Sequence, residues 1–190
     1  MNMKTITKLS IFSFLFLTLT TANLMAQGET KQKKHDLNNV IYLDLKYGRV
    51  AIELLPDVAP KHVERIKTLT KRGFYNGIVF HRVIDNFMVQ TGDPTGTGMG
   101  GSDLPDVKAE FSDEPHIRGA VSMARANNPN SANSQFFIVT HDSRFLDNQY
   151  TVFGRVIEGM EFVDKIKKGE PGSGKVTNPD KIVKMSLAKE

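Results

Sequence analysis

From Asn39 onward the apolar residues recur almost everywhere with a period of two, in short runs cut by Gly, Pro and Asn, and this alternation admits few folds. Ile41, Leu43 and Leu45 alternate with Tyr42, Asp44 and Lys46. After a Tyr47-Gly48 turn, Val50, Ile52 and Leu54 alternate again, which predicts a β-hairpin stopped by Pro56. Further short strands are predicted at Ile78 to Val83, Phe87 to Gln90, Gly119 to Ala124, Gln135 to Thr140, Val152 to Val156 and Ile182 to Ala188. A helical period appears only twice. Ala59-Pro60 opens the first helix, with Val63, Ile66 and Leu69 on one face and Gly73 as its C-cap, and Gly159 to Lys167 carries Phe162, Val163 and Ile166 on the inner face of the second. Many short strands with turn signals and two helices predict a mainly β protein, an antiparallel sheet that is closed or sandwiched. No internal repeat is present.

The residues before this region follow another logic. Lys4 and Lys8 precede an apolar run from Leu9 to Leu19 of about a dozen residues, and Leu24-Met25-Ala26 follows, the three-part pattern of a signal peptide. The run falls short of the ~20 apolar residues that span a bilayer, and Thr18, Thr20 and Thr21 dilute it. The expected division is therefore a signal peptide over 1–26, a polar leader over 27–38 and one domain over 39–190. Cleavage after Ala26 is expected, with Ala22 as the alternative. It removes two lysines and no acid, leaving 164 of 190 residues and a formal charge of +2 instead of +4. With no cysteine at the cut to carry lipid, the product is expected free of the membrane and periplasmic, or else secreted.

Composition removes several functional classes. The absence of cysteine excludes disulfides, thiol nucleophiles, Cys-ligated zinc, iron–sulfur clusters and CxxC redox chemistry. A near-neutral mature chain lacks the clustered Lys and Arg of a nucleic-acid footprint. Gly96-Thr97-Gly98-Met99-Gly100-Gly101 satisfies GxGxxG in form, but Ser102, Asp103 and Pro105 follow instead of a helix, so it reads as a loop. Ser122, Ser131 and Ser134 can be paired on paper with His81, His116 or His141 as a hydrolase, yet no GxSxG elbow is present. The five histidines lack the spacing of a helical metal site, and neither a metal nor a cofactor is expected.

The most informative stretch runs from Phe80 to Pro94, FHRVIDNFMVQTGDP. If its halves pair as strands, Arg82 and Gln90 converge beside Phe87 and Met88, giving a greasy pocket with a guanidinium and an amide at its lip. The alternative is a solvated Arg82 with Phe87 and Met88 in the core. A second stretch, Ser122 to Ile138, joins a small-residue strand to a polar loop and an apolar strand. With Phe145-Leu146-Asp147 and Val152-Phe153-Gly154, the two stretches closely resemble the cyclophilin family of peptidyl-prolyl isomerases, in particular the bacterial exported type. The resemblance runs from about Val40 to Ala188.

That resemblance implies a closed eight-stranded antiparallel β-barrel capped by two helices, with isomerisation of Xaa-Pro bonds in exported proteins as its activity. It puts the catalytic arginine at Arg82, supported by Gln90, and substrate-binding positions at His81, Phe87, Met88, Ala124, Arg125, Ala126, Gln135, Phe137, Phe145, Leu146 and Tyr150. Arg125 stands where the family usually has Asn, Phe145 where many eukaryotic members have Trp, and Tyr150 where they have His. The last two differences imply weak cyclosporin binding. Expected partners are proline-containing folding polypeptides met by a monomer; a module that merely binds such segments is the alternative class.

Overall fold

A computed structural model describes residues 35–189, so the expected signal peptide and residues 27–34 of the leader lie outside the described residues. The last leader residues are part of the domain edge. The Asp36 carboxylate accepts the Asn38 N–H and caps a 3-10 turn at Leu37–Asn39, and His35 Nδ1 lies 2.9 Å from Glu53 Oε1.

The hairpin consists of β1 (Val40–Leu45) and β2 (Gly48–Leu54). Leu45 pairs with Gly48, so the turn is Lys46-Tyr47 and lies one residue earlier than expected. Gly48 has φ +145°, and a Cβ there would fall 2.6 Å from the Phe162 ring, a close approach that requires glycine. Helix α1 (Pro60–Lys71) buries His62, Val63, Ile66 and Leu69 and ends before Gly73, whose φ of +66° provides the left-handed residue expected there. Ala59 has no side chain to cap the other end. The carboxylate of Glu110, distant in sequence, accepts the N–H groups of Lys61 and His62 and sits 2.7 Å from His62 Nδ1.

The remaining strands are β3 (Arg82–Ile84), β4 (Met88–Thr91), β5 (Ala120–Met123), β6 (Phe136–Val139), β7 (Val152–Glu158) and β8 (Lys184–Leu187). Helix α2 (Met160–Val163) is shorter than the predicted 159–167 because the N–H groups of Lys165 and Ile166 bond three residues back, tightening the chain into turns that still bury Ile166. All eight strands form one antiparallel sheet in the order β3-β4-β6-β5-β7-β2-β1-β8.

The closed barrel implied by the resemblance is corrected to a curled half-barrel. Strands β3 and β8 share no ladder. The free edge of the three-residue β3 is taken by a loop, Val83 N–H donating to the Gly174 carbonyl at 2.7 Å, and the segments before β3 and β8 meet through an isolated bridge, Val79 to Lys181, and the N–H groups of Gly77, Phe80 and Ile182, without forming a ladder between the two strands.

Alternation along the strands sends neighbouring residues to two different cores. Phe136 and Ile138 of β6, with Val83, Val89, Met123 and Phe153, pack inside the curl with the hairpin and α1. Phe137 and Val139 join Met88, Ala120, Leu146 and Val152 in a second cluster on the opposite face, flanked by the half-buried Phe87, Ala124 and Tyr150.

Candidate active site

The second face presents the site. Register places Arg82 opposite Gln90 and Gln90 opposite Phe137, so three side chains stand in a row across β3, β4 and β6. Arg82 Nη1 donates to Gln90 Oε1 at 3.2 Å, and Arg82 Nε to the Ser173 carbonyl at 3.3 Å. Gln90 Nε2 donates in turn to Gln135 Oε1 at 2.9 Å, and Gln135 Nε2 to the carbonyls of Gly98 and Gly100 at 3.1 and 2.8 Å. Each amide is thereby oriented, and the guanidinium is gripped on two edges.

Beside Arg82 opens a cavity of about 440 Å³ lined by Arg82, Phe87, Met88, Gln90, Ala124, Arg125, Phe137, Phe145, Leu146 and Tyr150. Met88, Phe137 and Leu146 are its buried apolar members. Phe145 stands at the lip, 66% exposed, its ring centroid 5.4 Å from that of Phe87. Tyr150 meets Phe137 edge-on at 5.8 Å. A second cavity of about 540 Å³ adjoins it, sharing Gln90, Ala124 and Arg125 and adding Ala126, Gln135 and the glycine-rich loop. Ten of the thirteen residues named from the sequence thus line the first cavity, and Ala126 and Gln135 line only the second.

His81 is the exception: it lines neither cavity. Its ring is buried below the Gly98 loop, and neither ring nitrogen has a partner among the described residues. Burial pushes it below the ordinary histidine range, against the pull of Asp93.

Several supporting groups carried no readable signal. The carbonyls of Ser173, Gly98 and Gly100 are backbone atoms, and any residue could supply them. Asp93 orders the glycine-rich loop: its buried carboxylate accepts the N–H groups of Thr95 and Gly98 and the Thr95 hydroxyl. Burial alone would raise that carboxyl, but these donors hold it at about 2. The sequence Asp93-Pro94-Thr95-Gly96 was the available hint of such an Asx turn.

One pairing dismissed from the sequence does assemble. Ser122 Oγ lies 3.0 Å from His116 Nε2, and His116 Nδ1 lies 3.0 Å from Asp147 Oδ1. Ser122 and His116 are buried and line neither cavity of the site, so no substrate carbonyl reaches the hydroxyl. The array is a buttress: His116 stacks on Phe137 at 6.2 Å, and Asp147 ends the 3-10 turn Arg144–Leu146 that presents Phe145 and Leu146. Among the described residues, no three His, Asp or Glu gather to hold a metal ion.

The family model for "Cyclophilin type peptidyl-prolyl cis-trans isomerase/CLD" matches residues 40–187. The chain belongs to the cyclophilin family. It is a cyclophilin-type peptidyl-prolyl cis-trans isomerase. A "probable peptidyl-prolyl cis-trans isomerase" from Brucella suis is 56% identical over 164 residues, 80% of this cyclophilin and 84% of the relative. The "peptidyl-prolyl cis-trans isomerase-like 1" of Aspergillus fumigatus is 43% identical over 130 residues, 66% of this chain and 80% of its own. Among solved structures, a Hirschia baltica cyclophilin superposes with a TM-score of 0.72 at 32% identity, covering 80% of this chain and 75% of the other. A Cryptosporidium parvum cyclophilin, solved in the presence of the dipeptide Ala-Pro, gives 0.71 at 30% identity, covering 78% and 98%.

Proposed function

We propose that the cavity beside Arg82 holds the proline ring of an Xaa-Pro segment and that Arg82 donates to the prolyl nitrogen as the amide twists. Rotation about this bond faces a barrier of about 18–20 kcal/mol because the nitrogen lone pair is delocalised into the carbonyl. A donor aimed at the nitrogen favours the localised lone pair of the twisted state and has little to bind in either planar isomer, the condition for lowering a barrier rather than deepening a ground state. The observation that carries this reading is the grip on Arg82 by Gln90 at 3.2 Å and by the Ser173 carbonyl at 3.3 Å, at the edge of an apolar cavity. Phe87, Met88, Phe137 and Leu146 surround the ring and keep water from competing for that hydrogen bond. The backbone N–H of Arg125, which donates to none of the described residues, holds the carbonyl oxygen of the residue before proline. No acid, base or nucleophile is needed.

In this reading the protein is the exported type: residues 1–26 are cleaved, and the monomeric product assists folding of exported proteins in the periplasm, where proline isomerisation is slow enough to limit folding. Phe145, lacking an indole N–H, makes cyclosporin a weak ligand, by about 1–3 kcal/mol against a Trp-bearing relative. Exchange NMR on an Ala-Pro peptide with residues 27–190 tests the reaction, and a cis–trans exchange rate no faster than that of free peptide would overturn it. Mass spectrometry of the full chain expressed in a Gram-negative host tests export. A new N-terminus near Gln27 in the periplasmic fraction is expected, and full-length protein in the cytosol or secretion into the medium would reject the periplasmic assignment.

A further inference from the structure

Among the eight arginines of the described residues, Arg49, Arg72, Arg118, Arg144 and Arg155 are each paired with a carboxylate. Arg125 is not. Its guanidinium is held by neutral groups alone: Nε and Nη2 donate to the Gln149 carbonyl at 3.2 and 3.0 Å, and Nη1 donates to the carbonyls of Ala126 and Asn127 at 2.8 and 3.3 Å. The ring of Tyr150 lies 4.6 Å beneath it. Carbonyl oxygens and an aromatic face fix a cation in place without cancelling its charge. The result is a rigid, half-buried positive charge that lines both cavities.

We infer that Arg125 selects substrates with an acidic side chain two residues before proline, the X of X-Ala-Pro. The inference rests on the binding pose proposed above. With the proline ring beside Phe137 and the preceding carbonyl on the Arg125 N–H, the chain before that residue continues into the second cavity, past the guanidinium. A carboxylate there meets a preorganised cation that loses no side-chain entropy on pairing, whereas a lysine meets Arg125 and has only Asp106 of the same cavity in its favour. Asp106 already accepts from Asn133 Nδ2 at 3.0 Å.

The test uses three end-blocked peptides, X-Ala-Pro-Phe with X as Glu, Gln or Lys, so that X is the sole variable charge. Affinities are read by NMR titration at low salt, a measurement independent of turnover. The expected order is Glu, Gln, Lys, with about three- to tenfold between the extremes, since attraction and repulsion at a partly screened pair add. Salt near 1 M, where the Debye length is about 3 Å, should collapse the ratio towards one. Arg125→Glu should reverse the order, Arg125→Gln should flatten it, and Asp106→Asn should widen it. Equal binding of the Glu and Lys peptides, or a preference for Glu that survives Arg125→Glu, would overturn the inference while leaving the pocket assignment standing. Should Arg125→Glu fail to fold, the salt series on the unaltered protein decides: a Glu-over-Lys ratio indifferent to salt would reject the charge mechanism. If none of the peptides binds, the proposed pose and this inference fall together.

Discussion

The two apolar clusters of this cyclophilin are built from the same strands and from adjacent residues, yet one is sealed and the other is open. Phe136 is fully buried inside the curl of the sheet, and its neighbour Phe137 forms the floor of the cavity. The inner cluster is closed over by α1 and the hairpin. The outer one is covered on one side only, by the short turn that presents Phe145 and Leu146. The inner face therefore converts apolar area into stability, whereas the outer face leaves part of its apolar area for a ligand to bury. Polar groups follow the same division. The outer face carries Arg82, Gln90 and Gln135 in a connected hydrogen-bond chain, whereas the helix that covers the inner cluster buries two polar side chains, His62 and Thr70.

Substitutions on the two faces should separate these roles. The largest change in folding free energy is expected from Phe153→Ala, whose side chain is fully enclosed by the inner cluster: about 3–5 kcal/mol of unfolding free energy should be lost, read by denaturant titration. Peptide affinity of the folded fraction should hardly move. A loss below about 1 kcal/mol would mean that the inner cluster repacks and is less rigid than its close packing indicates.

On the outer face, Arg82→Ala should reduce turnover by roughly 10²- to 10³-fold while changing peptide affinity little, the signature of an interaction made only in the transition state. Arg82→Lys should restore little, because an ammonium cannot meet Gln90 Oε1 and the Ser173 carbonyl with one planar fork. Phe137→Ala should show the reverse bias, weakening cis and trans peptide alike by about 1.5–3 kcal/mol of lost apolar contact. Exchange NMR reports binding and isomerisation separately. An Arg82→Ala protein that keeps its turnover but loses affinity would make the arginine a clamp and erase the contrast between the faces.

The smallest effects concern pH. Burial holds His62, His81 and His116 below the ordinary histidine range, so the unfolded chain binds protons that the folded one refuses. Stability should therefore be full above about pH 6.5 and decline as pH falls below it. Asp93 and Asp147, both held at about 2, act in a lower window, and their contribution is lost as pH falls from about 4 towards 2. Denaturant midpoints measured from pH 8 to pH 3 should show both declines, and a midpoint constant from pH 7 to pH 5 would mean that the histidines titrate normally. The isomerisation rate should stay level from pH 6.5 to 8, since His81 is already neutral there and lies outside the cavity.

Much of this molecule was legible because it is written in local patterns. Alternation at Ile41, Leu43 and Leu45 and again at Val50, Ile52 and Leu54 marked the hairpin, the spacing of Val63, Ile66 and Leu69 marked α1, and the Phe80–Pro94 stretch marked the row that became Arg82 and Gln90. Period and residue type survive in a linear string because they depend on neighbours two to four positions away. Tertiary structure alone decided what depends on distant backbone. The Gly174 carbonyl takes the edge of β3 and leaves the barrel open, Glu110 caps a helix fifty residues earlier, and Ser122, His116 and Asp147 meet as a buttress beneath Phe137 and not as a nucleophile. His81, one residue before β3, is buried beside Gly98, so a loop far along the chain decided its place. The carbonyls that grip Arg82, Gln135 and Arg125 belong to no particular side chain, so their placement follows only from the path of the folded chain.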